Sequence, residues 1–161
     1  MLPPARPRLV LVVAGCPGND SKELGRLCQD PLLKGRVRLL GHREEVPEVL
    51  AAADIFAFPS LYKGFGGAVI EAMALGLPVV ASDLPALREV VEEGRNGLLI
   101  KPGSSSEMAA ALQDLLDDRP RAIGFGSHSR RLYESRFTLE SSVSRMIALY
   151  ARIAPPSVNP G

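Results

Sequence analysis

The sequence predicts an α/β fold, a doubly wound parallel sheet followed by two C-terminal helices. Short apolar runs alternate with segments of helical periodicity, and glycine or proline closes several of the runs. Strands that alternate with helices are joined by right-handed crossovers, so neighbouring strands run parallel. The last third of the chain has helical periodicity over two segments with no strand pattern between them. At 161 residues the chain is long enough for one domain, which we expect over residues 9–153.

The order of the elements follows from these runs. Strands are expected at residues 9–14, 36–40, 54–58, 78–81 and 97–100. Helices are expected between and after them at residues 21–28, 44–53, 67–75, 85–93, 104–116, 121–136 and 138–153. The first run is apolar throughout, which is typical of a strand buried on both faces. Residues 1–8 form an N-terminal leader, and residues 154–161 have the composition of a disordered tail.

The composition excludes several classes of protein. The chain has 19 Lys and Arg against 18 Asp and Glu, so it lacks the basic excess expected of a nucleic-acid binder. Two cysteines are too few for a disulfide scaffold, and they have no further ligands at zinc spacing. No apolar run reaches the roughly 18 residues of a membrane span, and the leader lacks the apolar region of a signal peptide. We expect a cytoplasmic protein with neither a metal site nor a cofactor.

A glycine-rich loop separates the third strand from the helix that follows it. Gly64, Gly66 and Gly67 lie between the strand end at Pro59 and the helix over 67–75. Glycines let the backbone approach a ligand closely, and the first N–H groups of a helix have no partner within it. Together these features are typical of a phosphate site at the carboxyl ends of parallel strands. A tight turn, in which the glycines serve only to reverse the chain, explains the loop alone equally well.

Glu71 is the only charged residue of that helix. All other positions are small or apolar, so the pattern predicts a helix that is buried on every side. A buried carboxylate needs a specific partner, because an unpaired one is strongly destabilising. That partner is either a pair of ligand hydroxyls, such as those of ribose, or a distant Arg or Lys in a structural ion pair. The pattern favours the ligand.

Several short motifs follow one another along the chain in a fixed order and spacing. They are Pro59–Ser60, Gly64–Phe65–Gly66, Glu71–Ala72–Met73–Ala74, Gly76–Leu77–Pro78–Val79–Val80, Glu89, Asn96–Gly97–Leu98–Leu99 and Arg136–Phe137–Thr138. With these motifs, residues Val37 to Leu99 resemble the C-terminal, donor-binding domain of retaining glycosyltransferases of the GT-B type, which is Rossmann-like. The similarity extends over roughly residues 9–153 and involves the order, spacing and residue type of the motifs.

The resemblance implies a donor site for a nucleoside diphosphate sugar. Glu71 lies at the position of the family glutamate that holds the ribose hydroxyls. Backbone amides around Phe65, Gly66 and Gly67 would face the diphosphate or the sugar. The predicted substrate-binding residues are therefore Lys63, Gly64, Phe65, Gly66, Gly67 and Glu71. The nucleotide sugar is a donor substrate and not a cofactor, and no residue is assigned as catalytic.

Three features depart from the family pattern. Lys63 replaces a second motif glutamate, eight residues before Glu71, that contacts the transferred sugar. The opening strand and the basic pair that neutralises the diphosphate should precede Leu9, where only MLPPARPR stands. The N-terminal acceptor-binding domain is missing too, so we expect it as a separate domain or subunit. Without the opening strand, the edge of the first strand should be exposed and available for a homodimer.

Two functions remain open from the sequence. The chain is either the donor-binding half of a glycosyltransferase, incomplete by itself, or a non-catalytic module of the same fold that serves regulation or interaction. Glu71 and the intact glycine loop favour the first function. Lys63 and the missing basic pair favour the second.

Overall fold

The computed structural model describes residues 9–16, 18, 21–62 and 66–153. Three predicted segments lie outside this part of the chain: the leader over 1–8, the tail over 154–161 and the loop residues 63–65. The chain divides into two compact units, Met1–Ala52 and Ala53–Gly161, here named unit 1 and unit 2.

Unit 1 contains two parallel strands and two short helices. In chain order these are β1 (Leu11–Ala14), α1 (Ser21–Leu27), β2 (Val37–Gly41) and α2 (Val46–Ala51). The strands pair with Leu11 opposite Val37, and α1 connects them. This confirms the predicted parallel β–α–β connection.

β1 is exposed, although its sequence is apolar. Leu11 and Val12 are 38% and 45% exposed, and Val13 is half-buried. The expectation that this strand is buried on both faces is therefore wrong. The main contacts of β1 are with β2, and no helix of the described part of unit 1 packs on it to a similar extent. The predicted exposed edge is confirmed, since β2 is the only strand that pairs with β1 among the described residues.

Unit 2 contains a three-stranded parallel sheet in the order β3–β4–β5. Its elements are β3 (Phe56–Phe58), α3 (Gly67–Ala74), β4 (Val79–Ser82), α4 (Pro85–Arg88), β5 (Gly97–Ile100), α5 (Ser105–Asp117), α6 (Arg119–Arg136) and α7 (Leu139–Ile153). In the register, Val79 lies between Phe56 and Gly97. The named strands of both units pair only in parallel, which confirms the α/β fold class, with the described strands divided between two sheets.

The core of unit 2 surrounds β4, which is buried at every residue. Val79 and Ala81 belong to a cluster that includes Met73 of α3. Val80, between them, belongs to a second cluster that includes Leu115 of α5. Successive side chains of a strand point to opposite faces, so helices cover both faces of this sheet. A continuous apolar strand is stable in such a sheet because neither face meets water.

Two glutamates close the outer edge of β5. Leu99 N–H donates to the carboxylate of Glu93 (2.5 Å), and Lys101 N–H donates to that of Glu107 (2.7 Å). These backbone donors point away from β4, because alternate residues of a parallel strand bond to the same neighbour. With the donors already bonded, this edge is protected against pairing with another strand.

α4 is shorter than predicted and ends at Arg88 instead of residue 93. The fully buried side chain of Asn96 bonds to the backbone that follows the helix. Its Oδ1 accepts from Glu92 N–H (2.7 Å) and its Nδ2 donates to the Val90 carbonyl oxygen (3.3 Å). A side chain that satisfies the backbone in this way replaces the helical hydrogen bonds, so the helix can stop there.

The two C-terminal helices are present, but they pack differently. α6 packs on α3 and contributes Phe125 and Leu132 to the core. α7 has no buried residue, so the expectation that it packs against the domain is wrong. Its connection to α6 includes a hydrogen bond from the Ser141 hydroxyl to the Ser135 carbonyl oxygen (2.9 Å). The apolar periodicity therefore predicts the helix α7 correctly, but it does not show whether another part of the protein covers the apolar side.

Candidate functional site

The candidate site lies where β3 leads into α3, at the carboxyl end of the strand. Ser60 follows the strand, and its hydroxyl donates to the carbonyl oxygen of Tyr62 (2.8 Å). The next three residues belong to the predicted substrate-binding set but lie outside the described residues: Lys63, Gly64 and Phe65. The described part of the site therefore begins at Gly66.

Gly66 is the N-cap of α3 and has a left-handed conformation, with φ at 73°. It is buried, and a Cβ atom at this position would lie 3.3 Å from Cδ2 of Leu87. The positive φ and the close contact both favour glycine. The turn explanation of this glycine is therefore supported, and it is compatible with a ligand at the start of the helix.

The start of α3 is open to an anion. Its N-cap residue offers no side-chain acceptor, and Ile70 N–H is bonded within the turn to the carbonyl oxygen of Gly66 (3.0 Å). The N–H groups before Ile70 precede the first helical hydrogen bond and carry the positive end of the helix dipole. Gly67 is exposed, and no heavy atom lies within 4 Å of the place where its Cβ would be. Free N–H groups at a helix start are the groups that bind phosphate in proteins.

Glu71 is exposed, so the prediction of a buried carboxylate is wrong. α3 has one buried side, which includes Val69 and Met73, and an opposite side with Gly67, Ala68 and Glu71 exposed. Small apolar residues fill the exposed side, which is why the composition suggested burial all round. Glu71 follows Gly67 by four residues and therefore lies on the same side of the helix. The structure thus places Gly66, Gly67 and Glu71 together on one short helix.

An ion pair that the sequence pattern did not reveal lies at the carboxyl end of β4. The Arg88 guanidinium donates to both carboxylate oxygens of Asp83, at 2.5 and 2.8 Å. This hydrogen-bonded contact holds the pKa of Asp83 below its ordinary value and raises the pKa of Arg88. The side chain of the preceding residue, Leu87, lies 3.3 Å from the place where a Cβ of Gly66 would be, so the pair belongs to the element beside the start of α3. Residues five apart across the start of a helix do not form a standard ion-pair pattern. The acidic residue before Pro85, Asp83, is the only hint of this pair in the sequence.

A second charged cluster connects the segment before β5 to α6. Glu92 Oε2 lies 3.0 Å from Nε2 of His128 and 3.1 Å from the guanidinium of Arg95. Its other oxygen lies 3.2 Å from the guanidinium of Arg136. The hydrogen bond with His128, with smaller contributions from the two arginines, holds the pKa of Glu92 below its ordinary value. These contacts join two elements of unit 2, which is a structural role.

Metal and membrane sites are not found in the described part of the chain. No three or more His, Cys, Asp or Glu side chains there are grouped closely enough to hold a metal ion. None of the described helices is long and apolar enough to cross a membrane. The described part of α3 offers the backbone amides at its start and the Glu71 carboxylate.

Known proteins share the sequence of this chain over most of its length. The family model "Glycosyl transferases group 1" matches residues 2–118. O-antigen chain mannosyltransferase B of Escherichia coli is 36% identical over 149 residues, which cover 90% of this chain and 38% of the relative. A D-inositol 3-phosphate glycosyltransferase of Corynebacterium kroppenstedtii is 35% identical over 146 residues, covering 88% and 32%. The chain spans less than half the length of these relatives.

Solved structures share the fold. The crystal structure of Anabaena Alr3699/HepE in complex with UDP superposes with a TM-score of 0.84 at 28% identity, covering 94% of this chain and 42% of that one. The C-terminal domain of a glycosyl transferase group 1 family protein (LpcC) from Francisella tularensis superposes with a TM-score of 0.77 at 27% identity, covering 84% and 73%. The predicted resemblance is confirmed: the chain belongs to the group 1 glycosyltransferases and has the fold of their C-terminal, Rossmann-like GT-B domain.

Proposed function

We propose that this chain binds the nucleoside diphosphate sugar from which a glycosyltransferase takes the sugar for its acceptor, and that it is incomplete by itself. The observation that carries the proposal is the exposed side of α3, where open backbone amides and the Glu71 carboxylate lie together. HepE was crystallised in complex with UDP and with UDP-glucose, and these ligands of that protein support the same ligand class here.

The two ends of such a donor match the two chemical groups of α3. The diphosphate is an anion and is stabilised by the N–H groups and the dipole at the start of the helix. The ribose offers two hydroxyl donors, which an ionised carboxylate can accept together. From Gly67 to Glu71 the helix rises about 6 Å, so one nucleotide can reach both groups.

The proposal includes a partner that binds the acceptor. The curated relatives are more than twice as long as the segment they share with this chain. A site on the exposed side of α3 leaves one side of the donor free for another domain or subunit. We propose that this other part is an N-terminal acceptor-binding domain or subunit.

A homodimer through β1 is proposed in addition. The strand has an open edge and exposed Leu11 and Val12, whereas the edge of β5 is closed by Glu93 and Glu107. An open apolar edge can pair with the same edge of a second copy across a twofold axis. Sedimentation of the full chain over a range of concentrations tests this association.

We also propose a cytoplasmic location. Cys16 and Cys28 are both free thiols. Cytosolic proteins keep their cysteines reduced, whereas disulfides form and persist in secreted proteins.

Titration calorimetry of the full chain with UDP and UDP-glucose tests the donor site. Glu71→Gln removes the charge that would hold the ribose hydroxyls, so we expect it to weaken binding by about 1–3 kcal/mol. Because Glu71 is exposed, the free energy of unfolding should change by less than about 0.5 kcal/mol. The control is Glu140→Gln, which alters an exposed glutamate at the start of α7 and should leave affinity unchanged. Equal affinity of native and Glu71→Gln chains would remove Glu71 from the site.

The second candidate function, a non-catalytic module, is favoured by Lys63. A lysine cannot accept the hydroxyls of the transferred sugar, although it can attract a phosphate oxygen. We therefore expect the native chain to bind UDP and UDP-glucose about equally, and Lys63→Glu to prefer UDP-glucose. Lys34→Glu, an exposed lysine of unit 1, serves as the control. If the native chain already binds UDP-glucose ten-fold more tightly than UDP, a difference of about 1.4 kcal/mol, the main argument for a non-catalytic module is lost. The same result would support the enzyme function.

A further inference from the structure

Cys16 and His42 are in contact just beyond the carboxyl ends of the two strands of unit 1. In the register of these strands, Ala14 lies opposite Gly41. Directly after β1, Gly15 N–H donates to the carbonyl oxygen of Gly41 (2.9 Å). Cys16 and His42 come next in the chain, and the Cys16 Sγ lies 3.6 Å from the His42 Nδ1.

The backbone ladder holds this pair together across 26 positions of sequence. Because both side chains start from residues directly after bonded backbone groups, their approach is set by strand pairing. Both residues are exposed, so small molecules can reach the sulfur. The pair belongs to unit 1, whereas the proposed donor site is built on α3 of unit 2, so the two sites use different residues.

A thiol beside an imidazole is the usual arrangement of an activated cysteine. In the tautomer with its proton on Nε2, the His42 Nδ1 can accept the proton of the Cys16 thiol. The resulting thiolate is the nucleophilic form of the side chain. The other cysteine and the other histidine of the chain differ: Cys28 is half-buried, and His128 is bonded to Glu92.

We infer that Cys16 is a site of thiol–disulfide exchange with small disulfides and that His42 activates it. The thiolate of Cys16 attacks one sulfur of the disulfide RSSR, and a new S–S bond forms as the old one breaks. The second sulfur leaves as a thiolate and takes the proton that His42 had accepted. The products are a mixed disulfide on Cys16 and the thiol RSH, so the small disulfide is the only oxidant that the step requires.

Oxidised glutathione is the probe, used with the full chain. The adducts on Cys16 and Cys28 are located and timed by peptide mass spectrometry. We expect Cys16 to react at least about ten times faster than Cys28 at pH 7, since the neighbouring imidazole and the greater exposure both favour it. In urea, where the strand pairing is lost, the two cysteines should react at similar rates.

Variants separate activation from mere exposure. His42→Gln should slow Cys16 about ten-fold and leave the rate of Cys28 unchanged, since only the proton acceptor is removed. Arg43→Gln removes a neighbouring exposed positive charge and should leave both rates unchanged.

Three results would overturn the inference. One is equal reactivity of Cys16 and Cys28 in the native chain, and another is a Cys16 rate that His42→Gln does not change. The third is an Arg43→Gln variant as slow as His42→Gln, which would assign the effect to positive charge and not to a proton acceptor. Circular dichroism confirms that each variant keeps the fold, so a slow rate reports on the thiol.

Discussion

β1 and β4 have similar sequences and opposite environments. Each is a run of four residues with two valines, LVVA in β1 and VVAS in β4. β4 lies between two strands with helices on both faces, and all four residues are buried. β1 has one partner strand, and three of its four residues are exposed. An apolar run therefore specifies a strand, whereas the layers around the strand decide how much of it is buried.

Matched valine substitutions in β1 and β4 test this difference in burial, and we expect from them the largest change in the free energy of unfolding. Val80→Ala removes two methyl groups from a fully buried site, so the free energy of unfolding of unit 2 should fall by about 2 kcal/mol. Val12→Ala removes the same groups from a site that is 45% exposed and should cost less than about 0.5 kcal/mol. Hydrogen exchange followed by mass spectrometry measures both effects, because peptides from β1 and β4 report on their own unit.

A large cost of Val12→Ala would contradict this contrast. It would mean that β1 is covered in solution, and sedimentation of the same variant would show whether a second copy of the chain covers it. A native dimer that Val12→Ala dissociates would support the proposed edge pairing. A native monomer that is nevertheless destabilised would refute it.

A smaller effect is expected from acid, and it should be confined to unit 2. The bond with His128 and the nearby Arg95 and Arg136 hold the pKa of Glu92 below its ordinary 4.5. A lowered pKa stabilises the folded state above pH 4.5 and loses that contribution as the pH falls through the folded-state value. The loss should stay below about 1 kcal/mol because these side chains are partly exposed.

Unfolding of the native chain and of Glu92→Gln between pH 6 and about pH 3 measures this contribution. Glu92→Gln should be less stable at pH 6 and should change less with acid than the native chain. Glu140→Gln, with an exposed glutamate outside the cluster, should keep the native slope. An identical slope in Glu92→Gln and the native chain would exclude the cluster as a source of acid sensitivity.

Sequence patterns predicted the fold of unit 2 well because the residue patterns that favour each strand and helix agree with how these elements pack. Every strand and helix was expected near its observed position, and β5 agrees at both ends. The length of α4 could not be predicted, because Asn96, which lies eight residues beyond its last residue, satisfies the backbone there. The exposure of α7 could not be predicted either, since periodicity shows which side of a helix is apolar and not what covers it.

The candidate site was predicted in position but not in environment. Gly66 and Glu71 were identified from glycine spacing and from an isolated charge, and the structure places them on one helix. The burial of Glu71 was misjudged because alanine and glycine occur on exposed as well as buried sides of helices. The pair of Asp83 with Arg88 was missed, since its contact depends on how the chain turns into α4.

The glutamates that close β5 also limit how unit 2 can assemble. A sheet with two open edges can add strands without end and form a filament, as in cross-β fibrils. With the donors of Leu99 and Lys101 bonded to Glu93 and Glu107, a further strand can join the described strands of this sheet only beyond β3. Two copies that joined there would present a closed β5 edge at each end. Assembly through this sheet is therefore self-limiting and stops at a pair.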